Sequence, residues 1–244
     1  MEGLDTGHYH ADFPSTDKGW TQLRPGGTPP CGRCSHTATL VGDLLYVVGG
    51  GRVPDPEESN VFEHFNDVHA LDLRTVQWSR VEPSGDEFPA RRGHCAGLHE
   101  ATRRVFIFGG CSEPHSDVEQ SSTLLQQDTW ILHVDEPSHV RWQQAHVTGA
   151  LPRRRRAHRC AVLRDAVMVV HGGFLAHHPP ISEPEAAVVR REEADLLHAL
   201  DLSSLTWNTV HLNYLRTEPP LARNLVGLFG FAALGDRLLM HGGS

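Results

Sequence analysis

The sequence predicts an all-β protein assembled from repeats, and three observations carry that prediction. A hydrophobic strand runs into a glycine pair four times, in LLYVVGG (44–50), VFIFGG (105–110), VMVVHGG (167–173) and LLMHGG (238–243). The first glycines stand 60, 63 and 70 residues apart, and Trp20, Trp78, Trp142 and Trp207 keep step at 58, 64 and 65. A fixed period of this kind is the signature of a repeat architecture. The segments between these landmarks are short, bounded by turn residues, and lack helical periodicity.

Each unit reads as four strands. A Gly/Pro-rich connection ends in Arg-x-x-His, as GTPPCGRCSH (27–36), GDEFPARRGH (85–94) and GALPRRRRAH (149–158). Strand a follows the histidine, in HTATLV, HCAGLH and HRCAVL. A tight turn, Gly42-Asp43 in the first unit, leads to strand b, which ends in the glycine pair. Strand c opens on an aspartate: Asp67 in DVHALDL, Asp128 in DTWILHV and Asp195 in DLLHALDL. Strand d carries the tryptophan. A glycine pair at a strand end admits backbone conformations and close approaches closed to other residues, and the tryptophans read as wedges between sheets.

These landmarks resemble the kelch repeat, and the resemblance extends from about Trp20 to Gly243. It implies a β-propeller whose blades are four-stranded sheets: three full blades at about 33–82, 91–146 and 155–211 and a partial fourth at 223–244, behind a flexible tail at 1–19. There are departures. The units exceed the kelch period of about 50 residues. The tyrosine usual in strand b occurs only as Tyr46, with Phe106 at that place in the second unit. In the fourth unit Pro219, Pro220 and Arg223 match, but Val226 replaces the histidine. Three and a half blades leave open strand edges, an aggregation hazard. The expectation is therefore a longer native product, or a truncated chain, fragment or isoform.

Bulk properties narrow the function classes. Hydrophobic content of 39% and charged content of 21% fit a globular protein and exclude disorder. No apolar run approaches the roughly 20 residues of a membrane span, and the first residues carry no basic and apolar leader. The net charge of −8 argues against nucleic-acid binding by phosphate neutralisation. Lys18 is the only lysine, so phosphate-loop and Schiff-base chemistry is nearly excluded. Five cysteines without framework spacing read as reduced thiols, which points to the cytoplasm, with the nucleus as an alternative.

The extra length lies between strands b and c, at 51–66, 111–127 and 174–194. Long loops inside a compact repeat are usually functional or disordered. All three are acidic, with Glu57 and Glu58 in the first, Glu113 and Asp117 in the second, and Glu192 and Glu193 in the third. Ser182-Glu183-Pro184-Glu185 reads as a capping box for a short helix near 183–193. The kelch resemblance implies that these loops and the d–a connections share one face, which receives the partner. That face would also carry Arg33, Arg91, Arg92 and the run Arg153, Arg154, Arg155 and Arg156. Arginine suits bidentate contact with carboxylates. Internal pairing with acidic groups is the alternative, and the outer members of the run are the more exposed candidates.

Other chemistry finds little footing. His36, His94 and His158 occupy equivalent places and could face a channel as a three-histidine metal site, or hydrogen-bond within their blades. Cys31-x-x-Cys34 has no second pair at zinc spacing. No G-x-S-x-G nucleophile elbow is present. The resemblance raises two enzymatic precedents, radical copper oxidases that use tyrosine and nitrile-specifier proteins with an E-x-x-x-D-x-x-x-H iron motif. This chain has only Tyr9, Tyr46 and Tyr214, and its Glu63-x-x-x-Asp67 meets Leu71 where histidine is required. The reading is a non-catalytic protein-interaction module, an adaptor or scaffold, with no cofactor, no metal, no nucleic-acid partner and no membrane insertion. The alternative is an enzyme or metal-dependent specifier at the channel mouth.

Overall fold

A computed structural model of the chain describes residues 21–53, 63–112, 125–136, 139–175, 196–211 and 229–242. Trp20, the expected tail at 1–19, the expected helix near 183–193, Asp195 and the whole 212–228 segment lie outside the described residues.

The described residues form an all-β structure of three four-stranded blades and a further hairpin. The first blade holds β1 (Thr37–Val41), β2 (Leu44–Val48), β3 (Val68–Asp72) and β4 (Gln77–Val81). The second holds β5 (Cys95–His99), β6 (Arg104–Phe108), β7 (Thr129–Glu136) and β8 (His139–Gln144). The third holds β9 (Arg159–Leu163), β10 (Val167–His171), β11 (Leu196–Asp201) and β12 (Thr206–His211). Within each blade the four strands pair antiparallel in sequence order. A further hairpin joins β13 (Phe229–Leu234) to β14 (Arg237–Gly242). The sole helical element among the described residues is a 3-10 turn at Glu100–Thr102.

The first strands of successive blades, β1, β5, β9 and β13, pack side by side and form the inner layer. Backbone bonds link their entrances: the Gly93 N–H donates to the Ser35 carbonyl at 2.8 Å, and the Ala157 N–H donates to the Gly93 carbonyl at 2.7 Å.

The core lies between blades. One cluster joins Tyr46, Val48 and Val68 of the first blade to Ile107, Trp130, Leu132 and Trp142 of the second. Another joins Phe106, Phe108 and Ile131 of the second to Met168, Val170, Leu200 and Trp207 of the third. The second blade is thus covered on both faces. Strands buried on both faces carry continuous apolar runs rather than alternation, which is why β6 reads VFIF.

Each sheet gains a fifth, two-residue strand that a four-strand unit does not include. Gly26–Gly27, Ser84–Gly85 and Thr148–Gly149 run parallel to the last strand of the blade the chain is about to enter. Each glycine sits opposite the blade's tryptophan, as Gly27 with Trp78, Gly85 with Trp142 and Gly149 with Trp207. At Gly85 the backbone has φ of 88°, and any Cβ would press on the Trp142 carbonyl oxygen. Three residues on, Phe88 stacks against Trp142 with centroids 4.1 Å apart and meets Trp130 edge-on at 5.4 Å. The connection therefore clasps the next blade before the chain turns inward to build it.

Candidate functional site

The end of strand b, the start of strand c and the Arg-x-x-His connection meet at one end of each blade. The residue after the motif arginine pairs with the residue after the glycine pair: Cys34 bridges Gly51, Arg92 bridges Cys111, and Arg156 pairs with Phe174. In the first two pairs the second glycine reaches the next blade. The Gly50 N–H donates to the Arg91 carbonyl and the Gly110 N–H to the Arg155 carbonyl, both at 2.9 Å. At Gly110 φ is 95° and a side chain would meet the Arg92 carbonyl and His94. This close approach is what the glycine pair provides.

The seven arginines divide sharply. Arg33, Arg91 and Arg155, the three that stand three residues ahead of a histidine, turn inward. Arg91 donates to both carboxylate oxygens of Asp128 at 2.7 and 2.8 Å, to the Gly109 carbonyl at 3.0 Å and to the Pro89 carbonyl at 3.4 Å. Arg33 repeats the pattern with Asp67, Gly49 and Cys31. Arg155 bonds the Arg153 and Gly172 carbonyls and the His198 Nε2. Arg91 and Arg155 are buried, and the Arg33 side chain is almost covered. Burial alone would raise the carboxyl groups of Asp67 and Asp128, but the arginine beside each holds it below the usual carboxylate range. For these three arginines, the structure selects the internal pairing over the docking role, because each guanidinium is surrounded by acceptors of its own blade.

Arg92, Arg153, Arg154 and Arg156 lie at the same end with greater exposure. The Arg92 Nε donates to the His64 Nε2 at 3.2 Å, and the Arg154 Nη1 donates to the Leu125 carbonyl at 3.2 Å. The Arg156 guanidinium stands 5.4 Å over the ring of Phe174, which is 46% exposed. The acidic members of the expected face, Glu57, Glu58, Glu113, Asp117, Glu192 and Glu193, lie outside the described residues.

Two of the three motif histidines, His94 and His158, serve blade packing, while His36 is exposed. The His158 Nε2 lies 3.1 Å from the Phe108 carbonyl of the preceding blade, and the His94 Nε2 lies 3.0 Å from the Thr37 hydroxyl. Burial, reinforced by Arg91, pushes the His94 imidazole down to about 3, and burial with Arg155 pushes His158 well below its ordinary value. Both are held neutral near pH 7. Among the described residues no group of three or more His, Cys, Asp and Glu side chains could hold a metal ion.

Sequence reasoning passed over the uncharged polar residues Gln127 and Gln144, which flank a depression beside Arg154. They belong to the second unit alone, so a search for repeated landmarks does not find them.

The comparisons with known proteins agree with this architecture. The model of the KLHDC2/KLHL20/DRC7 Kelch-repeats domain matches residues 9–243. Host cell factor of Drosophila melanogaster is 27% identical over 84% of this chain and 14% of its own length. Host cell factor homolog hcf-1 of Caenorhabditis elegans is 25% identical over 92% of this chain and 26% of its own. Acyl-CoA-binding domain-containing protein 5 of Arabidopsis thaliana is 26% identical over 91% and 28%. The chain thus spans less than a third of the length of these relatives. Among solved structures, that of YjhT aligns with a TM-score of 0.56 at 16% identity, covering 86% of this chain and 59% of that one. That likeness concerns the fold. The family and its host cell factor relatives support a protein-interaction module, and no helix among the described residues is long and apolar enough to cross a membrane. A match over nearly the whole chain, on a structure whose blades follow the repeat, makes the protein a member of the kelch-repeat family.

Proposed function

We propose that this protein is a non-catalytic adaptor or scaffold that binds an acidic segment of a protein partner at the loop end of its blades, through Arg92, Arg153, Arg154 and Arg156. The observation that carries this reading is the Arg156 guanidinium stacked over the exposed ring of Phe174. A large exposed aromatic beside an arginine is the composition of an interface anchor. Arg153 and Arg154 beside it extend the positive surface, and arginine forks match carboxylates in a two-point contact. Five free cysteines fit a reducing compartment such as the cytoplasm.

The test is quantitative affinity capture from cells, comparing wild type with Arg153→Glu/Arg156→Glu/Phe174→Ala. Arg155 is left intact, since its burial makes it a folding residue. A partner with an acidic segment should be captured by wild type, weakened by added salt and lost in the variant at unchanged thermal stability. Equal capture by both proteins overturns the proposal.

A further inference from the structure

The connection between the second and third blades passes a depression of about 430 Å³, which falls within the roughly 300–1,000 Å³ typical of ligand sites. Its wall is built from Gln127 just ahead of β7, Thr129 at the start of β7, Gln144 at the end of β8, and Val147, Leu151 and Arg154 of the connection. Asp128 also lines it, but both of its carboxylate oxygens are taken by Arg91, and one also by the Trp130 indole. Its charge is therefore answered inside the blade.

Three properties of the remaining residues converge on one ligand chemistry. The carboxamides of Gln127 and Gln144 each present two donors and an acceptor, the complement of a peptide unit. Leu151 is 40% exposed and lies with Val147 on the same wall, an apolar surface beside polar groups. The contact of Arg154 with the Leu125 carbonyl uses one of the five N–H donors of its fork.

We propose that this depression binds an extended peptide segment of a partner protein, with an acidic side chain on Arg154, an aliphatic neighbour against Leu151 and Val147, and its backbone held by Gln127 and Gln144. This rests on the interaction-module reading and specifies a subsite for it, separate from the Arg156–Phe174 stack.

The experiment selects peptides from a random hexapeptide display library on the purified chain. The expected result is at least tenfold enrichment, over input, of peptides with Asp or Glu next to an aliphatic residue. Enrichment should vanish with Gln127→Ala/Gln144→Ala and with Leu151→Asp, and persist with Arg156→Glu/Phe174→Ala. One enriched peptide, added to protein labelled with nitrogen-15, should shift the carboxamide resonances of Gln127 and Gln144, a readout that needs no variant to fold. No enrichment, enrichment indifferent to the groove variants, or unshifted carboxamides overturns the site. Equal capture by wild type and the Arg153/Arg156/Phe174 variant with peptide selection intact overturns the docking reading alone, whereas capture lost in that variant with no peptide enrichment overturns the groove alone.

Discussion

Arg91 and Asp128, 37 residues apart in sequence, form a two-point ion pair at 2.7 and 2.8 Å with the arginine wholly buried. The main chain of Arg91 belongs to a different contact. Its N–H donates to the Phe65 carbonyl at 3.0 Å, and its carbonyl accepts from Gly50 at 2.9 Å, both in the first blade. One residue thus ties the loop end of one blade to the body of the next, and Arg155 repeats the main-chain part with Gln126 and Gly110.

Arg91→Met should therefore lower stability by about 2–3 kcal/mol, less than the cost of stranding a fully buried charge because the Asp128 side chain is partly exposed. Arg154→Met, at an exposed position, should stay within about 0.5 kcal/mol. Urea denaturation followed by tryptophan fluorescence measures both. Equal losses would contradict the division of the arginines into inward and outward sets.

The repeat was legible because its landmarks answer steric demands that few residues meet. Gly110 must approach the Arg92 carbonyl, so no other residue can take its place. The direction of the arginines was harder to read. Arg153, Arg154, Arg155 and Arg156 are chemically identical, and only the three-residue spacing to His158 marks Arg155 as the buried one. The connecting glycine had a signal as well: Gly27, Gly85 and Gly149 each stand six residues ahead of Arg33, Arg91 and Arg155. Its reason lies in a register that sequence does not display, since the Trp142 carbonyl opposes Gly85 only once the sheet has formed. The groove residues obey no repeat, because a site specific to one interface has no cause to recur in every blade.

Gly85→Ala tests the clasp. The backbone there is left-handed, and the added Cβ collides with the Trp142 carbonyl, so a loss of at least about 1–3 kcal/mol is expected. Gly32→Ala is the control, because a Cβ at Gly32 meets nothing within 4 Å. Thermal melts of the two variants should separate clearly, and matching midpoints would remove the clasp from the account of stability.

Phe88 lies between the indoles of Trp142 and Trp130 and is 3% exposed. Phe88→Ala should cost about 3–5 kcal/mol through the cavity it leaves. Phe88→Leu should keep most of the apolar burial and lose about 0.5–1.5 kcal/mol of ring–ring interaction. Near-ultraviolet circular dichroism should change in both, since two tryptophans lose an aromatic neighbour. An unchanged spectrum would place Phe88 outside the blade interface.

Acid should unfold this protein in two stages, the first set by histidine. Burial, then the charge of Arg91, lowers the His94 imidazole from 6.5 to about 3, and burial with Arg155 lowers His158 well below 6.5. The unfolded chain protonates both near 6.5. Between that value and the folded one it binds more protons than the folded chain, so stability rises with pH across the interval. The contribution is complete above pH 6.5 and drains away as pH falls below it, by up to ~1.4 kcal/mol per group per pH unit. Asp67 and Asp128 have carboxyl groups held below 3.8, so their loss begins only as pH falls under that value. Urea midpoints should therefore fall between pH 6.5 and 5, before any carboxylate responds. His158→Gln should reduce the slope in that window while leaving the decline below pH 4. Desolvation also lowers the imidazoles of His36 and His133, which retain part of the slope. A slope left unreduced by both His94→Gln and His158→Gln would assign the first stage to those other groups.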